Sequence, residues 1–588
     1  HRIESINSVD ESIKLSARAG RFDLVKEFGV PEKMAEAMNS NFRMALAAGV
    51  LALKDAHIPL VHYYKKTTTG GWLPEKWALP PEIADETGVI FASAFPTMES
   101  IINEVTGYFM DKYGSLGDDK LWDVYESIVD RIHSEEDKKE IRKWMKENLS
   151  KFSSSDKKSK YQFSQNFLLK VIPIADSQFA QFVGAKGPSI HLSAACSSTT
   201  QAVHVAESWI RSGKCKRVVV IAADDITNKT VQEWTMPGFL ASGTATTKER
   251  VEEAALPFDK RRHGLIVGSG AVALVVEDET LVRERGVVPL ARVLLTEAAN
   301  SAYHVTRLDT EHVASIMDNF VTKIEKIYGL KREEIADKTL FVSHETYTPA
   351  RGGSASAEVK ALKKAFREAA SKVVVSNVKG FTGHTMGASI EDAVAVRALN
   401  TGIVPPIANY KEPDPELSGI NLSKGGKYNL KYAIRFAAGF GSHMGMSFIE
   451  KIYTAGEKRI FDEKKYNDWL KRISGYDSVE LEVVNRALRI KDKGPSDFKK
   501  EIKEIPTISK KSAVENIQKS EVKVEKSENK VLTESEVSET IVNMIASKTG
   551  YPKDMLDLDL DMEADLGIDT VKQAELFGMI REHYGIPR

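Results

Sequence analysis

Residues 188–223, PSIHLSAACSSTTQAVHVAESWIRSGKCKRVVVIAA, decide how the rest of the chain is read. They predict a strand over Ser189–Ala194, an abrupt turn of small residues at Ala195-Cys196-Ser197-Ser198, and a helix ending near Gly213. A second apolar strand follows over Arg217–Ala223. Small residues let the backbone turn tightly and leave the lone thiol uncrowded at a helix N-terminus. Aligned peptide dipoles there favour thiolate over thiol, and the thiolate is the nucleophile. The competing reading is a structural cysteine packed like a small hydrophobe. Both stay open on this stretch alone.

Outward from it, short apolar strands alternate with helices: VALVVED at 272–278, TLFVSHE at 339–345, KVVVSNV at 372–378 and YAIRFAAGF at 432–440. Alternation of this kind predicts an α/β fold with helix-covered sheets. Strand–loop–helix units in both 188–278 and 339–450 hint at duplication. Upstream, FRMALAAGVLALKDAHI (42–58) has the spacing of a buried helix, Thr67–Trp77 reads as a Gly/Trp-bearing loop, and TGVIFAS (87–93) as a strand. The charged block 102–166, with helices in LWDVYESIVDRI and KKEIRKWMKENLSKF, reads as an insertion.

Two histidines stand near strand ends, each in a Gly/Thr-rich loop. His344 lies in VSHETYTPARGG, and His384 in VKGFTGHTMGAS, preceded by Lys379. A single such histidine is commonly a satisfied polar residue. Two are harder to dismiss, because loops after the strands of an α/β sheet gather on one edge, where active sites form.

Composition narrows the classes. The 588 residues are 42% hydrophobic and 28% charged, enough for a large core and a further domain. A net charge of −1 gives no reason to expect nucleic acid or an anionic membrane as partner. No run of about 18 apolar residues predicts a membrane span. The two cysteines, Cys196 and Cys215, fit a reducing, cytoplasmic setting and exclude a disulfide framework. A start at His1 and a stop at Arg588 are what a piece of a longer chain would have. GSGAVA (268–273) mimics a dinucleotide loop but leads into a Val-rich strand, not a helix. DLDLDMEADLG (557–567) lacks the glycine and bidentate Glu of a calcium loop, and no Cys/His spacing predicts a metal site.

Residues 456–493 read as a segment with helical pieces, such as KKYNDWLKRIS. From Gly494-Pro495 to about residue 531 the chain becomes Lys/Glu/Ser-rich, as a flexible charged linker does. Beyond it, Thr533–Ser547 reads as a helix with a capping-box-like start, followed by a loop and a helix over Thr570–Tyr584.

Several of these segments together resemble the β-ketoacyl synthase (ketosynthase) family. AACSS around Cys196 resembles its nucleophile motif, and PFDKRRHGLIVGSGAVALVVE (257–277) its PFD segment, with Asp259, Arg262 and Gly264 in step. HETYTP, KGFTGH and GFGSHMG (439–445) resemble its first histidine loop, its Lys-x-x-x-Gly-His motif and its closing glycine–phenylalanine loop. Glu345 and Tyr347 stand where glycines are usual, Ser269 replaces a common Glu, and the family's first strand is missing. ADLGIDTVKQAE (564–575) resembles the attachment motif of the tandem acyl carrier proteins in polyunsaturated fatty acid synthases and related iterative polyketide synthases, with Thr570 where they carry serine.

The resemblance implies an α/β thiolase-like fold of duplicated βαβ halves, layered α/β/α/β/α, plus a small truncated helical carrier-like domain. It implies a layout of ketosynthase (1–455), helical segment (456–493), linker (494–531) and carrier-like domain (532–588). It also implies a decarboxylative condensation of an acyl thioester with a malonyl-type extender, as part of a fatty acid or polyketide megasynthase. Cys196 would be acylated, and His344 and His384 would serve the extender's enolate. The N–H groups of Cys196 and Phe440 would form the oxyanion hole, with Phe440 as the gating aromatic. Lys379 would orient the histidine side through Glu358. The ketosynthase needs no cofactor or metal, while Thr570 is a candidate for 4′-phosphopantetheine. Implied partners are acyl- and malonyl-loaded carrier domains, other synthase domains and a second copy in a homodimer. The alternatives are a non-condensing decarboxylase or chain-length partner, which would lack Cys196; a thiolase-like coenzyme A enzyme; and a scaffold whose carrier-like tail only docks.

Overall fold

The computed structural model describes residues 11–113, 125–152, 161, 163–349, 353–495 and 534–586. They divide into two compact units. One comprises His1–Ile58, Asp85–Glu463 and Val484–Ala487, and the other Pro59–Ala84, Lys464–Val483 and Leu488–Arg588.

The larger unit is built on two sheets. The first has strands β1 (Thr87–Ala92), β2 (Ser189–Leu192), β3 (Arg217–Asp224) and β4 (Gly270–Glu277). Their order is β2-β1-β3-β4, the first three parallel and β4 antiparallel. Every residue of β1 and β3 is buried, which is why they read as continuous apolar runs without alternation. The second sheet has β5 (Ala291–Asn300), β6 (Thr339–Val342), β7 (Val374–Ser376), β8 (Asn421–Leu422), β9 (Tyr432–Gly439) and β10 (His443–Lys451). Its order is β8-β7-β6-β9-β10-β5, with β10 antiparallel to both its neighbours.

The run β7-β6-β9-β10 repeats β2-β1-β3-β4, so the duplication hinted at in the sequence is present in the topology. In the second sheet β5 continues the run beyond the antiparallel strand. The outer edge of β4 instead borders a cavity of about 780 Å³, lined by the strand itself, by Leu51 of helix α1 (Ser40–Asp55) and by Leu294 of β5. Helices α2 (Ser198–Arg211) and α4 (Ile390–Thr401) contact strands of both sheets and form the middle layer. Between β7 and α4 lies one short helix, α3 (Lys379–Thr382).

The smaller unit departs from two expectations. The segment expected to be a loop is an antiparallel hairpin, Val61–Lys66 with Trp72–Ala78, turning at Thr67–Gly71. Its Thr/Gly tip and alternating aromatics are hairpin chemistry. Residues 456–493 hold the expected helical piece as Glu463–Ser474, but then form a ribbon of Leu481–Val484 with Ala487–Ile490 that was not expected. Leu60 exchanges backbone hydrogen bonds with Leu488 and Ile490, and the Arg489 guanidinium sits 4.5 Å from the Trp77 ring centroid. The carrier-like part has helices Glu534–Thr549 and Thr570–His583 around a cluster of Leu566, Ile568 and Leu576. Of the insertion, helices Met98–Tyr113 and Glu135–Phe152 are described. Most of the predicted linker lies outside the described residues, as does part of LWDVYESIVDRI. No helix of the described residues is long and apolar enough to cross a membrane.

Candidate active site

The turn at Cys196 is held by its own small residues. Ala195 takes a left-handed φ of 49°, a conformation that costs a non-glycine residue roughly 1 kcal/mol. The hydroxyls of Ser197 and Ser198 donate to the carbonyls of Ala194 (2.8 Å) and Ala195 (2.6 Å), and Ser198 Oγ accepts the Ala194 amide (2.9 Å). These bonds satisfy a buried loop that has no sheet partner. The half-buried thiol stands just before α2.

The next residues of α2 bind the second half of the molecule. Thr199 Oγ1 donates to the Gly387 carbonyl (2.6 Å) and accepts the Ser389 amide (3.0 Å), while the Thr200 hydroxyl donates to Asp392 (2.9 Å). The loop carrying His384 is thereby fastened to the helix start that carries Cys196. On its other side, the His384 amide donates to the Ile266 carbonyl (2.8 Å) and its carbonyl accepts the Gly268 amide (2.9 Å). The third anchor is Asp224, at the end of β3. Its buried carboxylate receives the Ser93 hydroxyl (2.6 Å) and the amides of Ala94, Phe95 and Gly387 (2.9, 2.9 and 2.7 Å). It ties the loop after β1 to the His384 loop.

His344 leaves the end of β6, its amide donating to Glu358 (2.9 Å). The two imidazoles meet edge to face, with ring centroids 5.7 Å apart, and both are nearly buried. His344 Nδ1 has no hydrogen-bond partner among the described residues. Between β9 and β10, Gly439 lies so close to the nucleophile turn that a Cβ there would stand 2.7 Å from the Ala194 oxygen and 2.9 Å from the Cys196 nitrogen. Phe440, 40% exposed, follows it. Cys196, His344, His384 and the Gly439-Phe440 turn are thus drawn toward one region from four separate stretches of chain.

Electrostatics revise two expectations. Burial pushes the Cys196 thiol up to about 12, with Lys379 pulling it part of the way back. Burial, then the positive charge of Lys379, lowers His384 to about 3 and His344 well below its ordinary range. Both imidazoles are neutral, each with one N–H to give.

Lys379 Nζ pairs with Glu391 of α4 rather than with Glu358. Burial opposes ionisation of Glu391, but Lys379 and then Arg435 hold it low. Arg435 also spans Asp392 (3.3 Å) and Ser389 (2.7 Å). Sequence reasoning missed Glu391, Asp392, Arg435 and Asp224. The available signals were adjacent acids opening a helix just after the His384 motif, and charges inside the apolar strands 217–224 and 432–439.

Tyr347, where the family has glycine, takes a left-handed φ of 44°; its hydroxyl accepts the Ile266 amide and donates to the Lys379 carbonyl. The side chain fills the space a glycine would leave and bridges both histidine loops. Asp259 of the PFD segment is structural. Burial would raise its carboxyl, but Arg261 and the amides of Glu412 and Lys411 hold it near 2, while Arg262 pairs with Asp414 (2.6 Å).

Residues 141–281 match the N-terminal domain of β-ketoacyl synthases, and 338–411 match the C-terminal domain. Both domains of a β-ketoacyl synthase are thus matched in this chain. Residues 539–587 match a phosphopantetheine attachment site, so a carrier domain follows the ketosynthase. The 3-oxoacyl-[acyl-carrier-protein] synthase 2 of Staphylococcus aureus is 28% identical over 295 residues, 48% of this chain and 67% of the relative. A putative polyketide β-ketoacyl synthase 1 of Streptomyces halstedii is 30% identical over 243 residues, 41% and 55% of the two chains. A β-ketoacyl synthase from Burkholderia phymatum superposes with a TM-score of 0.56 at 21% identity, covering 75% of this chain and 88% of its own. The ishigamide ketosynthase/chain length factor gives 0.53 at 17%, covering 74% and 87%. The ketosynthase is therefore a carbon–carbon bond-forming acyltransferase of the thiolase-like fold, acting in fatty acid or polyketide synthesis with carrier-protein partners.

Proposed function

We propose that Cys196 is the acyl acceptor and that His344 and His384 serve the extender. In the first step the sulfur attacks the carbonyl carbon of a carrier-bound acyl thioester, and its proton passes to the departing carrier thiol. The oxyanion that forms is received by the amides of Cys196 and Phe440. Support for this pairing is the closeness of Gly439 to the Cys196 nitrogen. In the second step the carboxylate of a malonyl-type extender leaves as carbon dioxide. Its electron pair forms an enolate whose oxygen accepts N–H donors from the two imidazoles. The enolate carbon then attacks the acyl carbon, and the C–S electron pair returns to Cys196, which is reprotonated.

Neutral imidazoles suit this role, because a cationic pair beside Lys379 would repel itself. Lys379, fixed by Glu391, is a positioning residue for both rings. The observation that carries the reading is the edge-to-face histidine pair, with the His384 loop fastened to the first turn after Cys196. Incubation with a labelled acyl thioester followed by peptide mapping tests it. Label on Cys196 is expected; label elsewhere, or none, contradicts it.

Thr570 is the proposed attachment hydroxyl of the carrier-like domain, 532–588. It opens helix Thr570–His583, and the preceding Asp569 caps that helix by accepting the Lys572 amide (2.9 Å). A hydroxyl at this place fits a phosphodiester, whose charge a helix N-terminus favours. A bound pantetheine arm would supply a thiol that carries acyl chains as thioesters. Co-expression with a phosphopantetheinyl transferase and intact-mass measurement distinguishes a loaded Thr570 from a bare one. The ketosynthase resemblance further supports a cytoplasmic homodimer within a larger synthase, which sedimentation of the chain would test.

A further inference from the structure

The hairpin Val61–Lys66/Trp72–Ala78 has no part in the condensation chemistry, yet its tip and both strands contact the carrier-like part of its own unit. At the tip, the Thr68 amide donates to Asp565 Oδ1 (2.7 Å) and the Thr68 hydroxyl to Oδ2 (2.5 Å). Asp565 is 1% exposed. Its second oxygen also accepts the Asp561 amide (2.9 Å), so the carboxylate joins the hairpin to the carrier loop. From the following strand, Leu73 is 2% exposed and belongs to the same apolar cluster as Leu566, Ile568 and Leu576, with Met544 and Ile545 of the first carrier helix packed against it. Lys65 completes the contact, its Nζ 5.9 Å from the Tyr551 ring centroid.

Hydrogen bonds to a single carboxylate could come from any surface loop. A leucine inserted among the carrier's own core residues is different, because the carrier helices and their connecting loop close that core around it. Burying Leu73 there takes its apolar surface out of water, and a charged carboxylate is buried only where its acceptors are answered. Asp565 lies five residues before Thr570, in the loop that leads into the attachment helix. Whatever holds Asp565, Leu566 and Ile568 also holds the root of that helix.

We propose that the hairpin is the resting dock of the chain's own carrier domain, with Thr68 as latch on Asp565 and Leu73 as plug. Docked, the attachment position is parked at the hairpin; delivery of a carrier-bound group to any partner then requires the latch to open. The contact stands whether or not Thr570 is modified, so its test is separate from that of the condensation reaction.

Hydrogen exchange of the full 588-residue chain tests it. Exchange in 566–576 should be slow in the parent chain. In Leu73→Ser it should speed up by about tenfold or more, while peptides over β3 and β9 stay unchanged. Equal exchange in the two proteins would overturn the dock. A second measurement does not depend on that variant: Thr68→Cys with Asp565→Cys, made in a Cys196→Ala, Cys215→Ser background, should oxidise to a disulfide within one chain. A free thiol pair, or a disulfide found only between differently labelled chains, would overturn docking in cis.

Discussion

The two halves of the ketosynthase share a strand order but are put to different uses. In the first, the strand that precedes the middle-layer helix delivers Cys196. In the second, the equivalent strand and its neighbour deliver His384 and His344. The repeat presents two matching loop clusters, and in the proposed reaction they are filled differently: a soft nucleophile on one side, neutral N–H donors on the other. The sheets differ too. The second sheet continues past its antiparallel strand with β5, whereas the first stops at β4 beside a cavity of about 780 Å³. Among the described residues the outer edge of β4 is unpaired, and the Cys196 turn is tied to the other half through Thr199 and Thr200.

Replacing a residue on one side of this comparison should have consequences that depend on which half it serves. Cys196→Ala removes the acyl acceptor and should lower condensation by on the order of a thousandfold or more, with unchanged circular dichroism. Next in size is Asp224→Asn, which replaces a carboxylate answering four donors across the two halves. It should cost about 3 kcal/mol in denaturant unfolding; a change within about 0.5 kcal/mol would mean the halves are held together elsewhere. Gly439→Ala pushes a methyl against the Ala194 oxygen and the Cys196 nitrogen, both backbone, and should slow acylation by about ten- to a hundredfold with a measurable loss of stability.

The smallest effect concerns Glu345, fully buried beside His344. Burial pushes its carboxyl up to about 8, and Glu358 adds to this. A carboxyl whose folded value lies above its unfolded value of 4.5 keeps its proton in the folded state. The folded state therefore loses stability as pH rises from about 4.5 to 8. Glu345→Gln should remove that slope, so its stability relative to the parent should improve steadily between pH 5 and pH 8, by at least about 1 kcal/mol. Parallel pH profiles would contradict the assignment.

The turn at Cys196, both histidine loops and the α/β alternation were legible because each depends on local chemistry: small residues at a turn, glycines beside a histidine, continuous apolar strands. What could not be read were relations across the fold. Lys379 was expected to act through Glu358, but the chain returns Glu391 to it one helix later, while Glu358 accepts the His344 amide. The Cys196 thiol was expected to ionise at a helix N-terminus, whereas its burial pushes it the other way. The hairpin at 61–78 was masked by its Thr-Thr-Thr-Gly-Gly tip, which reads as loop until its flanking strands are seen to pair. Tyr347 carries no local sign that it would adopt a backbone conformation usual for glycine, since the bonds that hold it come from Ile266 and Lys379.

The division of labour between the halves is tested most directly by His384→Ala, assayed in one experiment for the acyl adduct and for product. The account predicts stoichiometric acylation of Cys196 at near the parent rate, with condensation abolished. Condensation that persists, or acylation that disappears along with it, would contradict the assignment of the two steps to opposite halves of the molecule.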